Sequence, residues 1–135
     1  METKRPESLK MWFIIHFIAD VAFAIPLMVI PEIFLTSLGW TTVDPISARL
    51  VAAALFGIGI ESFIGRNASI DSFISMLNLK IIWSLTAVIA VGVSLIQGAQ
   101  NGAPMAWGIF GVFLIFHFLW LYWRITLQKL RKQSQ

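Results

Sequence analysis

Four apolar segments, at positions 11–30, 46–64, 76–96 and 105–125, take up most of this 135-residue chain. Each is long enough to cross the hydrocarbon core of a bilayer as an α-helix, a distance of roughly 30 Å that needs about 20 residues. In that solvent every backbone N–H and C=O must find its partner within the protein, which leaves helices and closed barrels as the only spanning structures. Segments of this length predict helices. The expected fold is all-α and integral to the membrane: an antiparallel four-helix transmembrane bundle with short loops, one domain over residues 1–135. Four crossings nearly exhaust the chain, so any chemistry must occur inside the bundle, at its two faces, or in an oligomer.

Only 13% of residues are charged, against about a quarter in an average soluble domain. The net charge of +3 does not point to nucleic acid, because the basic residues collect at the ends of apolar segments instead of along one polar face. There is no cysteine, which excludes disulfides, thiolate ligands and thiol redox chemistry.

Helix punctuation agrees with the four segments. Pro31 and Gly39 follow the first, Asp44-Pro45 supplies an N-cap and a first-turn proline for the second, and Gly102-Ala103-Pro104 opens the fourth. Gly65 to Ser69 reads as a short polar turn, and Glu32 to Leu38 as a brief interfacial helix with Trp40 at headgroup level. Ala22-Phe23-Ala24 has the small-x-small form of a signal-peptidase site. The apolar run continues past it to Ile30, so the segment is expected to remain as a span. No repeat at fixed spacing suggests a transporter built from duplicated halves.

Lys and Arg set the orientation. Lys4, Arg5 and Lys10 precede the first span, Arg66 lies in the middle loop, and Arg124, Lys129, Arg131 and Lys132 follow the last, while positions 97–104 carry none. The positive-inside rule then places both termini and the middle loop in the cytoplasm of a multi-pass protein of the cell membrane. The basic tail from Arg124 to Lys132 is expected to attract anionic lipid headgroups.

Ionisable groups at membrane depth are costly and mark sites or pathways by default. His16 and Asp20, at i and i+4, share one face of the first helix. Taking Met11 as the inner edge, they lie about 8 and 14 Å deep; His117, counted back from Ile125, lies about 12 Å deep, and Glu61 about 5 Å from the inner end of its helix. Two imidazoles and a carboxylate could converge there, with Glu61 at the inner mouth. Three roles fit this set: a proton relay or solute pathway; a divalent metal held by His16, Asp20 and His117, although no established ligand spacing is present; and hydrogen bonding that only holds helices together.

Asp20 requires a proton or a counter-charge. Arg49 on the second helix is one source, although its position near the outer edge favours reaching out to phosphates. Lys80 is followed by 16 uncharged residues, which places it within a turn of the inner interface, reaching toward headgroups rather than acting as a buried nucleophile. Asn78 is expected to bond between helices. Ala53, Gly57 and Glu61 recur every four residues, a small-residue stripe that lets helix backbones approach closely. The aromatic fourth helix reads as packing, lipid contact or a protomer interface.

The leading functional expectation is a small homo-oligomeric membrane protein with a pathway or binding site for protons, ions or a small solute, lined by His16, Asp20, Glu61 and His117. A membrane enzyme acting on a lipid-like substrate and an assembly subunit without chemistry are the alternatives. No cofactor is expected beyond that metal.

Overall fold

The computed structural model describes residues 6–133; Lys4 and Arg5 of the charge count lie outside them. Helix α1 runs Glu7–Val29, the short α2 Pro31–Ser37, α3 Pro45–Ile64, α4 Ile70–Ile96 and α5 Pro104–Gln133. Proline stands at the start of α2, α3 and α5, where its missing N–H costs nothing and its fixed φ suits a first turn. Asp44 caps α3 by accepting from the backbone N–H of Ile46 at 3.1 Å and of Ser47 at 3.3 Å. Ser69 caps α4 through the N–H of Ser72 at 3.2 Å. Three-residue and four-residue 3₁₀ turns, Gly65–Asn67 and Ala99–Gly102, close the loops on either side of α4.

Among the described residues the chain is all-helical, with four helices long and apolar enough to cross a membrane. At most 39% of the most apolar stretch of any of them is buried inside the protein. The rest presents hydrocarbon outward, a surface that suits lipid and not water. The brief helix expected over Glu32 to Leu38 is present as α2, one residue earlier. α4 begins at Ile70 instead of 76, and α5 carries the basic tail as continuous helix through Lys132.

The four long helices pack as two pairs, α1 on α3 and α4 on α5. Along the first pair, Phe17 meets Phe63 with ring centroids 4.8 Å apart, Asp20 meets Gly59, and the Arg49 Nε–H donates to the Met28 carbonyl at 3.1 Å. Gly59 sets how closely these helices approach: a Cβ placed there would lie 2.7 Å from the Cβ of Asp20. Internal close packing of α3 therefore uses Ala52 and Gly59, both buried, whereas Ala53, Gly57 and Glu61 face outward with open space beside Gly57. The small-residue stripe read from the sequence lies on the adjacent face. A four-residue repeat drifts around a 3.6-residue helix, and the buried face follows the mixed spacing Ala48, Ala52, Leu55, Gly59, Ser62 instead.

Two apolar clusters form the core, the first joining the two pairs and the second lying within the α1–α3 pair. Leu9 and Phe13 of α1 meet Phe73, Ile74 and Leu77 of α4 and Trp120, Trp123 and Leu127 of α5. Toward the other end, Ala24 and Leu27 of α1 meet Ala48, Ala52 and Leu55 of α3, with Phe34 and Leu35 of α2 packed against them. At that second end the Gln100 side chain ties two loops. Its Oε1 accepts from the backbone N–H of Thr41 at 2.8 Å and of Thr42 at 3.3 Å, and its Nε2 donates to the Thr42 carbonyl at 3.0 Å. Gln100 and Asn101 hold φ of +55° and +51° to make this reach, a left-handed conformation that non-glycine residues adopt only at a cost.

Candidate functional site

The buried positions of α1 are Leu9, Phe13, His16, Asp20, Ala24 and Leu27, an unbroken three-and-four spacing that forms one face of a helix. His16 and Asp20 thus occupy core positions between the two apolar clusters. On α4 the corresponding run is Phe73, Leu77, Lys80 and Ser84, which turns Lys80 inward at the same level. Ser62 completes the set from α3.

Lys80 is 3% exposed, Asp20 7% and His16 6%, so each polar atom must be matched within the protein. Lys80 Nζ donates to Ser62 Oγ at 2.6 Å, and Ser62 passes its own hydroxyl hydrogen to the Ile58 carbonyl at 2.6 Å. Nζ also lies 3.1 Å from His16 Nδ1. That same ring nitrogen is 2.9 Å from Asp20 Oδ2. The contact with Oδ2 is an ion-pair approach without the alignment of a full hydrogen bond, and no other donor reaches that oxygen.

Aromatic rings enclose the cluster. Lys80 Nζ lies 5.0 Å from the Phe13 ring centroid and 5.1 Å from that of Trp120, within the range where a ring face attracts a cation. The His16 ring meets Phe116 and Trp120 edge-on, each at 5.0 Å.

One nitrogen atom between an acid and an amine cannot satisfy both in a single protonation state. With a hydrogen on Nδ1, His16 faces Asp20 as an ion-pair partner and has no lone pair for Lys80. With the lone pair on Nδ1, it accepts from Lys80, and Asp20 Oδ2 is left without a donor. The two arrangements differ by the position of one proton, the behaviour expected of coupled ionisable groups.

The other residues singled out in the sequence lie elsewhere. His117 Nδ1 bonds Ser84 Oγ at 3.0 Å, one turn along α4 from Lys80, while Ser84 donates to the Ile81 carbonyl at 3.1 Å. His16, Asp20 and His117 are therefore not gathered into a metal ligand set. Among the described residues no three His, Asp or Glu side chains come together in that way. Arg49, on α3, bonds the carbonyl of Met28, eight residues along α1 from Asp20 or about 12 Å at the rise of a helix, and serves the end of α1 instead of pairing with the acid. Asn78 accepts from Arg124 Nε at 2.7 Å and links α4 to α5. Glu61 is exposed.

Lys80 is the correction that matters most. Counting uncharged residues placed it near the interface, but the side chain follows the buried face of α4, where Ser62, His16 and Asp20 offer matched groups. Its three-and-four spacing with Phe73, Leu77 and Ser84 was the available signal.

The chain matches no protein-family model, no curated protein and no solved structure.

Proposed function

We propose that this is a small multi-pass protein of the cell membrane whose Asp20–His16–Lys80 cluster loads and releases a proton, serving the passage of protons, ions or a small solute. The single observation carrying this reading is the His16 Nδ1 atom shared between Asp20 and Lys80. Buried acid, imidazole and amine in contact are unusual in a membrane interior, where such groups accompany proton relays and solute pathways. A purely stapling role needs no shared proton. Hydroxyl and amide bonds such as Ser84–His117 and Asn78–Arg124 already join α4 to α5.

In this reading the four spans run antiparallel with both termini in the cytoplasm, as the distribution of Lys and Arg requires. Glu61 then lies at the inner mouth and Ser84–His117 one turn farther out than Lys80. Because aromatic rings crowd the cluster, a species larger than a proton would pass between copies of the chain in a homo-oligomer. The outward face of Ala53 and Gly57 is suited to bring such copies together. That same face supports a second reading, an assembly subunit of a larger membrane complex; Gly57→Leu would then release a co-purifying partner.

The test is proton entry into liposomes containing the full chain, followed with a trapped pH-sensitive dye. Asp20→Asn and Lys80→Met should each slow entry by roughly a hundredfold, the scale on which proton-transfer groups act. Unchanged entry in both variants would overturn the proposal.

A further inference from the structure

Lys80 Nζ and Asp20 Oδ2 both touch the one His16 Nδ1 atom, at 3.1 and 2.9 Å. They therefore lie no more than about 6 Å apart, close enough for an acid and an ammonium to compensate each other. The nitrogen is held in place. Ser62 Oγ, whose own hydrogen goes to the Ile58 carbonyl, accepts from it at 2.6 Å, and the ring centroids of Phe13 and Trp120 flank it at 5.0 and 5.1 Å. Its stem rises from the buried face of α4, so this cation cannot leave.

An alkali cation entering beside Asp20 would have to shed its water, and selective sites replace that water with a ring of oxygens. Among the described residues the side-chain oxygens bonded into the cluster are those of Asp20 and Ser62, and Ser62 is already committed on both sides. The backbone of α3 closes on the carboxylate, because a Cβ built at Gly59 would lie 3.3 Å from Oδ2. Phe116 and Trp120 meet His16 with hydrocarbon edges. A second cation here would also face the ammonium of Lys80, a like charge at short range. A proton meets neither obstacle: it needs a single lone pair, and Asp20 Oδ2 has no donor.

We infer that Lys80 is a tethered counter-ion that reserves Asp20 for protons, so that the cluster takes up a proton and excludes sodium and potassium. This rests on the proton-loading reading of the same cluster and adds which species is admitted and which residue selects it.

Thermal unfolding of the detergent-purified full chain tests the selection without transport. A ligand of the native state raises the midpoint, so wild type should unfold within about 1 °C of the same temperature in sodium, potassium and choline chloride at equal ionic strength. Lys80→Ala removes three carbons and the nitrogen, the atoms of n-propylammonium. Adding n-propylammonium chloride should raise the midpoint of this variant by about 4 °C. Equal 1-propanol should not, and neither should raise that of Lys80→Ala combined with Asp20→Asn. A wild-type midpoint raised by sodium or potassium over choline, no rescue by the amine, equal rescue by propanol, or amine rescue that persists in the double variant would each overturn the tethered counter-ion. If Lys80→Ala does not fold, the salt series on wild type decides. In liposomes, proton entry should keep its rate when choline replaces sodium. Entry that requires sodium, or sodium uptake that Asp20→Asn abolishes, would overturn this inference and leave proton loading standing. No proton entry in any salt would sink that reading instead, and the unfolding series would then decide the counter-ion by itself.

Discussion

Lys80 Nζ lies 3.1 Å from His16 Nδ1 across the seam between α4 and α1, and both side chains are more than nine-tenths buried. The pair joins helices that otherwise belong to different packing pairs, and Ser62 brings in α3. Removing one member of such a set leaves a buried charge without its partner. Lys80→Met is expected to destabilise the protein by about 3–5 kcal/mol. Combining it with Asp20→Asn should restore much of the loss, because the uncompensated acid is then gone. Unfolding in mixed detergent and denaturant reads the double-mutant cycle, and strictly additive losses would contradict the coupling.

Gly59 and Gly57 make opposite predictions two residues apart. A methyl group at position 59 collides with Asp20, so Gly59→Ala should cost about 1–3 kcal/mol through overpacking. At position 57 nothing lies within 4 Å, and Gly57→Ala should be neutral or stabilising by roughly 0.5–1 kcal/mol as a helix substitution. Thermal midpoints of the two variants, measured as monomers, separate the cases.

Gln100 makes its bonds to Thr41 and Thr42 from a left-handed backbone. Gln100→Ala should free the Thr41 amide, raising its hydrogen-exchange rate by about tenfold, which corresponds to one hydrogen bond. Asn101→Gly relieves the neighbouring φ and should leave that protection intact or improve it. Exchange at Thr41 that is the same in wild type and Gln100→Ala would show that the clamp contributes nothing.

Asp44 offers the clearest pH dependence outside the spans. Its hydrogen bonds from the Ser47 hydroxyl and then from the Ile46 N–H hold its carboxyl below the usual carboxylate range. A depressed folded-state value favours the native state above the unfolded value of about 3.9. That contribution disappears as pH falls through the lowered value. Asp44→Ala should therefore lower the thermal midpoint at neutral pH, and the gap to wild type should narrow below about pH 4. Asp44→Asn, which still caps, should lose less.

The spans were legible because their length and apolarity answer to the bilayer directly, and Asp44-Pro45 and Pro104 mark helix starts by chemistry local to a few residues. His16 and Asp20 were readable as one helix face for the same reason. Their partner was not. The chain offered Arg49 toward the outer edge, His117 in the middle of its span and Lys80 toward the inner interface, and whether Lys80 turns inward depends on how α4 is rotated about its own axis. The spacing of Phe73, Leu77, Lys80 and Ser84 held that information, whereas the count of uncharged residues measured depth alone. The small-residue stripe shows the same limit: Ala53 and Gly57 satisfy a simple repeat and face outward, while the contact with α1 is made through Ala52 and Gly59.

By itself, then, the sequence determined an all-helical chain with four potential spans, where several of those helices begin, and that an acid and a histidine share one buried face. Those properties follow from solvent and from bonds within one helix. Tertiary structure decided that Lys80 and Ser62, and not Arg49 or His117, complete the cluster. Contacts between helices depend on rotation and approach distance, which a glycine such as Gly59 adjusts by ångströms and which hydropathy does not encode.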